Sequence, residues 1–403
     1  MVAIVVCIMT TTYAAAQDSV RPHPEYTISI DGGATIPNTE KYSYIGGANF
    51  GVSAAINWQM TGERYWIQFW KQPRFGLYLE YLHSTNSVAG ERIAISASMQ
   101  NAIWRSNQSK QYTSEVFWYT GAGVALYTNP YERTQDTMNC FIGSYLNCIF
   151  NLGAGYSISF PDHSALTFSL RFSHSSNGYL LKPNQGLNYL MASVGYRLST
   201  PTSSTPTQDR DTAAIQDRNK KTTKTYYNQH NEANQYHRIW ASFAPAVVQS
   251  RWYDTESVPP KHKHYFAYTA QLGYMYYINQ CLGFGANLDV MYNYSHIEMI
   301  EILYKKEANR PYLGACLDFE PRWGDLSVRL SAGYYIIKSE VVEIPFYEHL
   351  GVFYHFGKKL SQFAGVTIKA HAAHADYIEW HYGIELFINQ PKRCVPAQGE
   401  VIL

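Results

Sequence analysis

Leu166, Phe168, Leu170 and Phe172 form one row of the stretch from Leu166 to Ser176, and the same row then carries His174 and Ser176. The second row, Thr167, Ser169, Arg171, Ser173, Ser175 and Asn177, is polar throughout. Side chains alternate across a strand with a period of two, so this stretch predicts a strand with one face toward an apolar medium and the other toward water. The end of the apolar row sets a histidine and a serine two residues apart on one face, close enough to act as general base and nucleophile. That combination suggests a serine hydrolase whose site lies at the edge of a membrane.

The alternation recurs. Ala48, Phe50, Val52, Ala54, Ile56 and Trp58 oppose Asn49, Gly51, Ser53 and Asn57, and Ile93, Ile95, Ala97 and Met99 oppose Ala94, Ser96, Ser98 and Gln100. Farther along, Leu282, Phe284, Ala286, Leu288 and Val290 face away from Gly283, Asn287 and Asp289, and Leu326, Val328, Leu330 and Ala332 face away from Ser327, Arg329 and Ser331. No segment reaches the roughly 18 to 20 continuous apolar residues of a membrane helix. Segments of about ten alternating residues between polar turns predict an all-β chain, a transmembrane antiparallel up-and-down β-barrel of the outer-membrane type. About eight strands fall between Glu25 and Ser199, and about eight more between a polar stretch and Phe387. Two consecutive barrels and one barrel of twice the strand number both fit this count.

The expected organisation is a signal peptide over 1–16, a barrel half over 17–199, a polar linker over 200–235, a second barrel half over 236–390 and a tail over 391–403. The signal reading rests on the apolar run that ends in Ala14-Ala15-Ala16 before Gln17, although no Lys or Arg precedes it. The residues before Cys7 lack the small side chains of a lipid-anchor site. A formal net charge of +1 on 403 residues gives no reason to expect nucleic acid. The 35 tyrosines fit strands whose ends stand at a membrane interface. Removal of the signal leaves Cys140, Cys148, Cys281, Cys316 and Cys394, an odd number. Cys140 and Cys148 could close a small loop or remain separate thiols, and no Cys/His spacing suggests zinc.

Phe172-Ser173-His174-Ser175-Ser176-Asn177-Gly178, followed by Lys182-Pro183-Asn184-Gln185-Gly186-Leu187-Asn188, resembles the His-x-Ser-Asn motif and Asn-x-Gly return of the lipid A 3-O-deacylase family, also known as acyloxyacyl hydrolases. Gly365 to His371 and Ala375 to Trp380 resemble the closing hairpin of the longer members found in Bacteroidetes-type bacteria. The resemblance implies an outer-membrane barrel, a multi-pass protein that hydrolyses an ester-linked acyl chain of lipid A, or lipopolysaccharide, in the outer leaflet. It implies Ser176 as nucleophile and His174 as its base, with Asn177, Gly178, Asn184 and Gly186 stabilising the oxyanion or positioning substrate. The chemistry requires no metal or cofactor. The family's Glu, which orients the histidine, falls at Asn188. An amide can hold an imidazole tautomer but supplies no charge to the imidazolium.

Alternation puts Asn188 on the row of His174 and Ser176, and turns Glu379 toward the lumen, away from them. If the chain begins in the periplasm, the seventh strand runs outward and carries His174 and Ser176 to the headgroup level. His371, His374 and Asp376 around the last hairpin read as exposed turn residues rather than cation ligands. The competing reading is a non-catalytic outer-membrane barrel, a channel or structural protein with a decayed site, and a wide, unplugged lumen would favour it.

Overall fold

The computed structural model describes residues 24–389 apart from 63, 107–111, 133–137, 200–234, 250–262, 306–309, 358–359 and 373. The expected signal peptide, nearly all of the linker, the tail, Cys7 and Cys394 lie outside the described residues. Strands β1 (Pro24–Ile36), β2 (Gly47–Gln59), β3 (Arg74–Ser84), β4 (Glu91–Arg105), β5 (Thr113–Tyr127), β6 (Leu146–Ser159), β7 (Ser164–Ser176) and β8 (Leu187–Ser199) close into one antiparallel barrel, β8 pairing with β1. A second barrel consists of β9 (Tyr236–Gln249), β10 (His264–Tyr277), β11 (Leu282–Asn293), β12 (Tyr312–Trp323), β13 (Leu326–Ile337), β14 (Phe346–Phe356), β15 (Ser361–His371) and β16 (His374–Ile388), with β16 returning to β9. The eight-plus-eight expectation holds, and the chain makes two barrels rather than one of sixteen strands.

Each barrel is inverted relative to a soluble one. Ile28 and Ile30 are 71% and 73% exposed on the outside of β1, while Asp31 beside them is buried. The same rule exposes Phe168 and Leu170 on β7 and buries Arg171 and Ser173. Continuous apolar rows around a closed barrel exceed any patch a water-soluble monomer carries, so the belt faces lipid. Among the described residues no helix is long and apolar enough to cross a membrane.

Eight strands leave an interior just wide enough for side chains to fill. In the first barrel the Glu80 carboxylate lies between the guanidinium groups of Arg92 and Arg171, and Arg92 also donates to Ser173 Oγ at 3.0 Å. In the second, Glu320 receives Arg238 at 2.7 Å and Arg329 at 2.9 Å, and Arg238 reaches Glu385 at 3.2 Å. Buried charge persists because it is paired and hydrogen-bonded on the spot. Trp240, Phe353 and Phe363 pack together inside the second lumen.

The barrels touch at both ends. A short helix α1 (Tyr65–Phe69) between β2 and β3 leads to Trp70, whose indole N–H donates to Arg322 O at 2.7 Å and whose ring stacks on Trp323, centroids 4.6 Å apart. Trp323 in turn donates to Asn101 Oδ1 at 3.2 Å. Met60, Ile67, Phe75 and Met99 pack around it. Met99 belongs to the outward row, as alternation expects, yet it is buried because the second barrel covers that face.

Candidate active site

Strand β7 serves two environments with its two rows. Its lumen row is anchored by the Arg92 contacts to Ser173 and Ser175. That anchoring fixes the strand's rotation and so aims the opposite row, with His174 and Ser176, outward at the end where β7 runs into the 177–186 loop. Asn188, near the start of β8, pairs directly with His174 in the ladder. Directly opposed residues share a face, so the return strand brings the amide to the imidazole without any special loop geometry.

His174 Nδ1 and Asn188 Oδ1 are 2.7 Å apart. An amide oxygen only accepts, so Nδ1 carries the proton and Nε2 is left with a lone pair. A second amide enforces that orientation. Asn38, in the β1–β2 connection, donates from Nδ2 to Gln185 O at 2.8 Å, which turns its Oδ1 toward Asn188, and Asn188 Nδ2 donates to it. Asn38, Asn188 and His174 therefore form one directed chain. Nothing in the sequence marks Asn38 for this role, because its partners lie at the other end of the barrel half and meet it only when β8 closes on β1.

Gly186 has φ +75°, and a Cβ there would stand 2.6 Å from His174 Cε1, so the residue must be glycine for the ring to occupy its place. Ser176 ends β7 on the same row and is buried. Among the described residues no hydrogen bond joins its Oγ to His174; the structure unites His174 with Asn188 and leaves Ser176 beside them. Nucleophile and base pairs are commonly long before substrate binds. Cys148 on β6 stands opposite Ser176 in the ladder, and no disulfide joins it to Cys140.

Asn177 differs from its expected role. Its backbone N–H donates to Asn184 Oδ1 at 3.0 Å, and its Nδ2 donates to Ser144 Oγ at 3.1 Å and Leu181 O at 2.8 Å. Every donor of Asn177 is thereby engaged, two within the loop and one by Ser144 of the β5–β6 connection, so Asn177 and Asn184 bracket the turn in this conformation and Asn177 leaves no donor free for an oxyanion. The Gly186 N–H is likewise committed, to Phe141 O at 2.9 Å. Gly178 has φ +63°, and among the described residues its N–H has no acceptor.

The second barrel holds this loop from the other side. Gln249, at the end of β9, accepts from Lys182 N–H at 2.7 Å and donates its own N–H to Tyr179 O at 3.2 Å. His264 Nε2 donates to Leu180 O at 2.9 Å. Tyr179 packs on Ala246, Val248, Tyr265, Ala267 and Tyr377, which line the mouth of that barrel. A Cβ at Gly178 would stand 2.6 Å from Ile378 Cδ1. No pattern in the sequence marks Gln249 or His264, since their relevance arises only when the two barrels dock.

Glu379 is fully buried in the second lumen with Thr269 and His381, as its alternation expects, and is not the third member of the site. The hairpin residue Asp376 accepts from Lys369 Nζ at 3.0 Å, with His371 Nδ1 3.6 Å away. Ser327, His355 and Glu385 also line up, at 2.9 Å and 3.0 Å. That triplet is sealed in the lumen among Arg238, Glu320 and Arg329, where no ester could reach it, and it acts as packing. A group of buried metal-type ligands, Asp289, Cys316 and His349, lies elsewhere in the same lumen.

Residues 50–197 match the family described as lipid A 3-O-deacylase (PagL), and residues 236–389 match the acyloxyacyl hydrolase C-terminal domain. No curated protein matches the chain. Among solved structures, the outer membrane enzyme PagL is 19% identical over 44% of this chain and 99% of its own, with a TM-score of 0.29. Neisserial surface protein A is 12% identical over 44% of this chain and 97% of its own, with a TM-score of 0.27. The siderophore receptor PirA from Acinetobacter baumannii is 9% identical over 92% of this chain and 81% of its own, with a TM-score of 0.23. Taken with the lipid-facing belts of both barrels, the two family matches, which follow one another along most of the chain, make this an outer-membrane β-barrel protein that belongs to the lipid A 3-O-deacylase family.

Proposed function

We propose that the first barrel hydrolyses the 3-O-linked acyl ester of lipid A in the outer leaflet by a serine mechanism. The observation that carries this reading is the directed chain from Asn38 through Asn188 to His174, which leaves Nε2 unprotonated on the lipid-facing row beside Ser176. A base held in that tautomer at the margin of the apolar belt suits a substrate whose acyl chain lies in lipid and whose sugar lies at the headgroups.

Ser176 Oγ attacks the ester carbonyl while His174 Nε2 takes its proton. The carbonyl oxygen becomes an oxyanion and accepts from the Gly178 N–H, the amide that the loop leaves available. Collapse breaks the bond to the sugar oxygen, which leaves with the proton from His174. Water then attacks the acyl-Ser176 with His174 again as base, which releases a fatty acid and restores the serine. Asn188 keeps Nδ1 protonated through both steps.

The channel reading gains nothing from the lumens, both of which are crossed by buried ion pairs. The assay is direct: the purified chain in detergent is incubated with lipopolysaccharide and free hydroxy fatty acid is measured. Release by the parent protein is expected. A folded, heat-modifiable barrel that releases none contradicts the reading.

A further inference from the structure

The lumen of the second barrel treats its carboxylates in two ways. Near one end Glu320 and Glu385 are met by arginines. Toward the other, Asp289 and Glu379 are as deeply buried, yet among the described residues their only ion-pair partners are histidines. Two buried carboxylates without a permanent cation leave that region short of positive charge.

The same region gathers metal-type ligands. Asp289 on β11, Cys316 on β12 and His349 on β14 each offer one ligand atom, and those atoms lie within 4.8 Å of one another. Cys316 Sγ is 3.2 Å from Asp289 Oδ2, and His349 Nδ1 is 4.0 Å from that oxygen. Ligand atoms of a tetrahedral zinc ion stand roughly 3 to 4 Å apart, given metal–ligand bonds of about 2.0 to 2.3 Å. Outer contacts are in place as well. Tyr347 OH donates to Asp289 Oδ2 at 2.7 Å and Gln271 Nε2 donates to Oδ1 at 2.9 Å, which fixes the carboxylate. His349 Nε2 is buried without a hydrogen-bond partner and points to Glu379 Oε2, 3.8 Å away. A metal on Nδ1 would let Nε2–H donate to Glu379, the carboxylate–histidine–metal relay that supports many zinc sites.

We propose that Asp289, Cys316 and His349 bind a divalent zinc ion inside the second barrel. The thiol gives up its proton on binding, and the ion ties β11, β12 and β14 together. This proposal does not depend on the hydrolase reading, since the site is in the other barrel and takes no part in the ester chemistry.

The test uses the full chain, purified without an affinity tag from outer membranes and dialysed against metal-free buffer. Elemental analysis should find about one zinc per chain, and growth or refolding with cobalt should give the intense near-ultraviolet thiolate-to-cobalt absorption. Cys316→Ser and His349→Ala should each lose most of the metal, and Cys316→Ser should lose the thiolate band, while His371→Ala at the hairpin keeps both. A parent protein with no bound metal overturns the proposal. So does cobalt bound without the thiolate band, a readout that needs no variant to fold.

Discussion

Asn188 stands where the family resemblance places a glutamate, and the structure shows what an amide can do there. Its Oδ1, 2.7 Å from His174 Nδ1, accepts the Nδ1 proton, but it adds no negative charge. Asn188→Ala should lower kcat/KM roughly 100-fold, about 2.7 kcal/mol of transition-state stabilisation, because the ring then samples unproductive rotamers and tautomers. Asn188→Glu should shift the acid limb of the kcat/KM profile to higher pH. A carboxylate beside the imidazole favours its protonated form, so more of the enzyme is inactive at low pH, while the plateau rate rises. An unshifted limb in that variant means Asn188 is not coupled to the base. Asn38→Ala should cost less than Asn188→Ala and be non-additive with it, since both act on one hydrogen-bond chain; a double-mutant cycle measures the coupling. Gly186→Ala should disable the site in a folded barrel, because the new methyl occupies the space of His174 Cε1. Full activity in that variant would mean that the ring is held elsewhere during turnover.

Strands were the most legible elements in this sequence, because alternation reports directly on lipid and lumen; the row from Leu166 to Ser176 and its partner from Asn188 to Leu198 fold into β7 and β8 with His174 opposite Asn188. Loops were less legible. Asn177 carried the motif's oxyanion expectation, yet its donors close the 177–186 turn, a fact set by the positions of Ser144, Asn184 and Leu181 in three dimensions. The clamp on that turn comes from the second barrel. Gln249→Ala removes the side-chain acceptor for Lys182 N–H and His264→Ala the donor to Leu180 O, hydrogen bonds worth on the order of 1 kcal/mol each. Each variant should lower kcat about 5- to 10-fold through a looser Gly178, with barrel heat-modifiability and KM little changed. Parent-like kcat in the combined variant would show that the loop holds its shape without the second barrel.

At the scale of the whole molecule, closure was the part that sequence left open. The count of strands fits two barrels or one, because alternation describes each strand's faces and says nothing of which strand pairs with the first. Docking was equally hidden: Met99 reads as lipid-facing but packs under Trp323 of the other barrel. The Asp289, Cys316 and His349 group has no spacing signal, since its members come from three strands and converge only across a closed lumen. Under the proposed function the labour is divided: one barrel would carry the ester chemistry, and its neighbour holds the 177–186 loop beside His174. The most direct measurement is mass spectrometry of lipid A from cells that express the parent chain, Ser176→Ala or His174→Ala at matched levels of folded barrel. Lipid A should lose one hydroxyacyl chain with the parent and stay unchanged with either variant. Unchanged lipid A with the parent, or deacylation that survives Ser176→Ala, would contradict the proposed function.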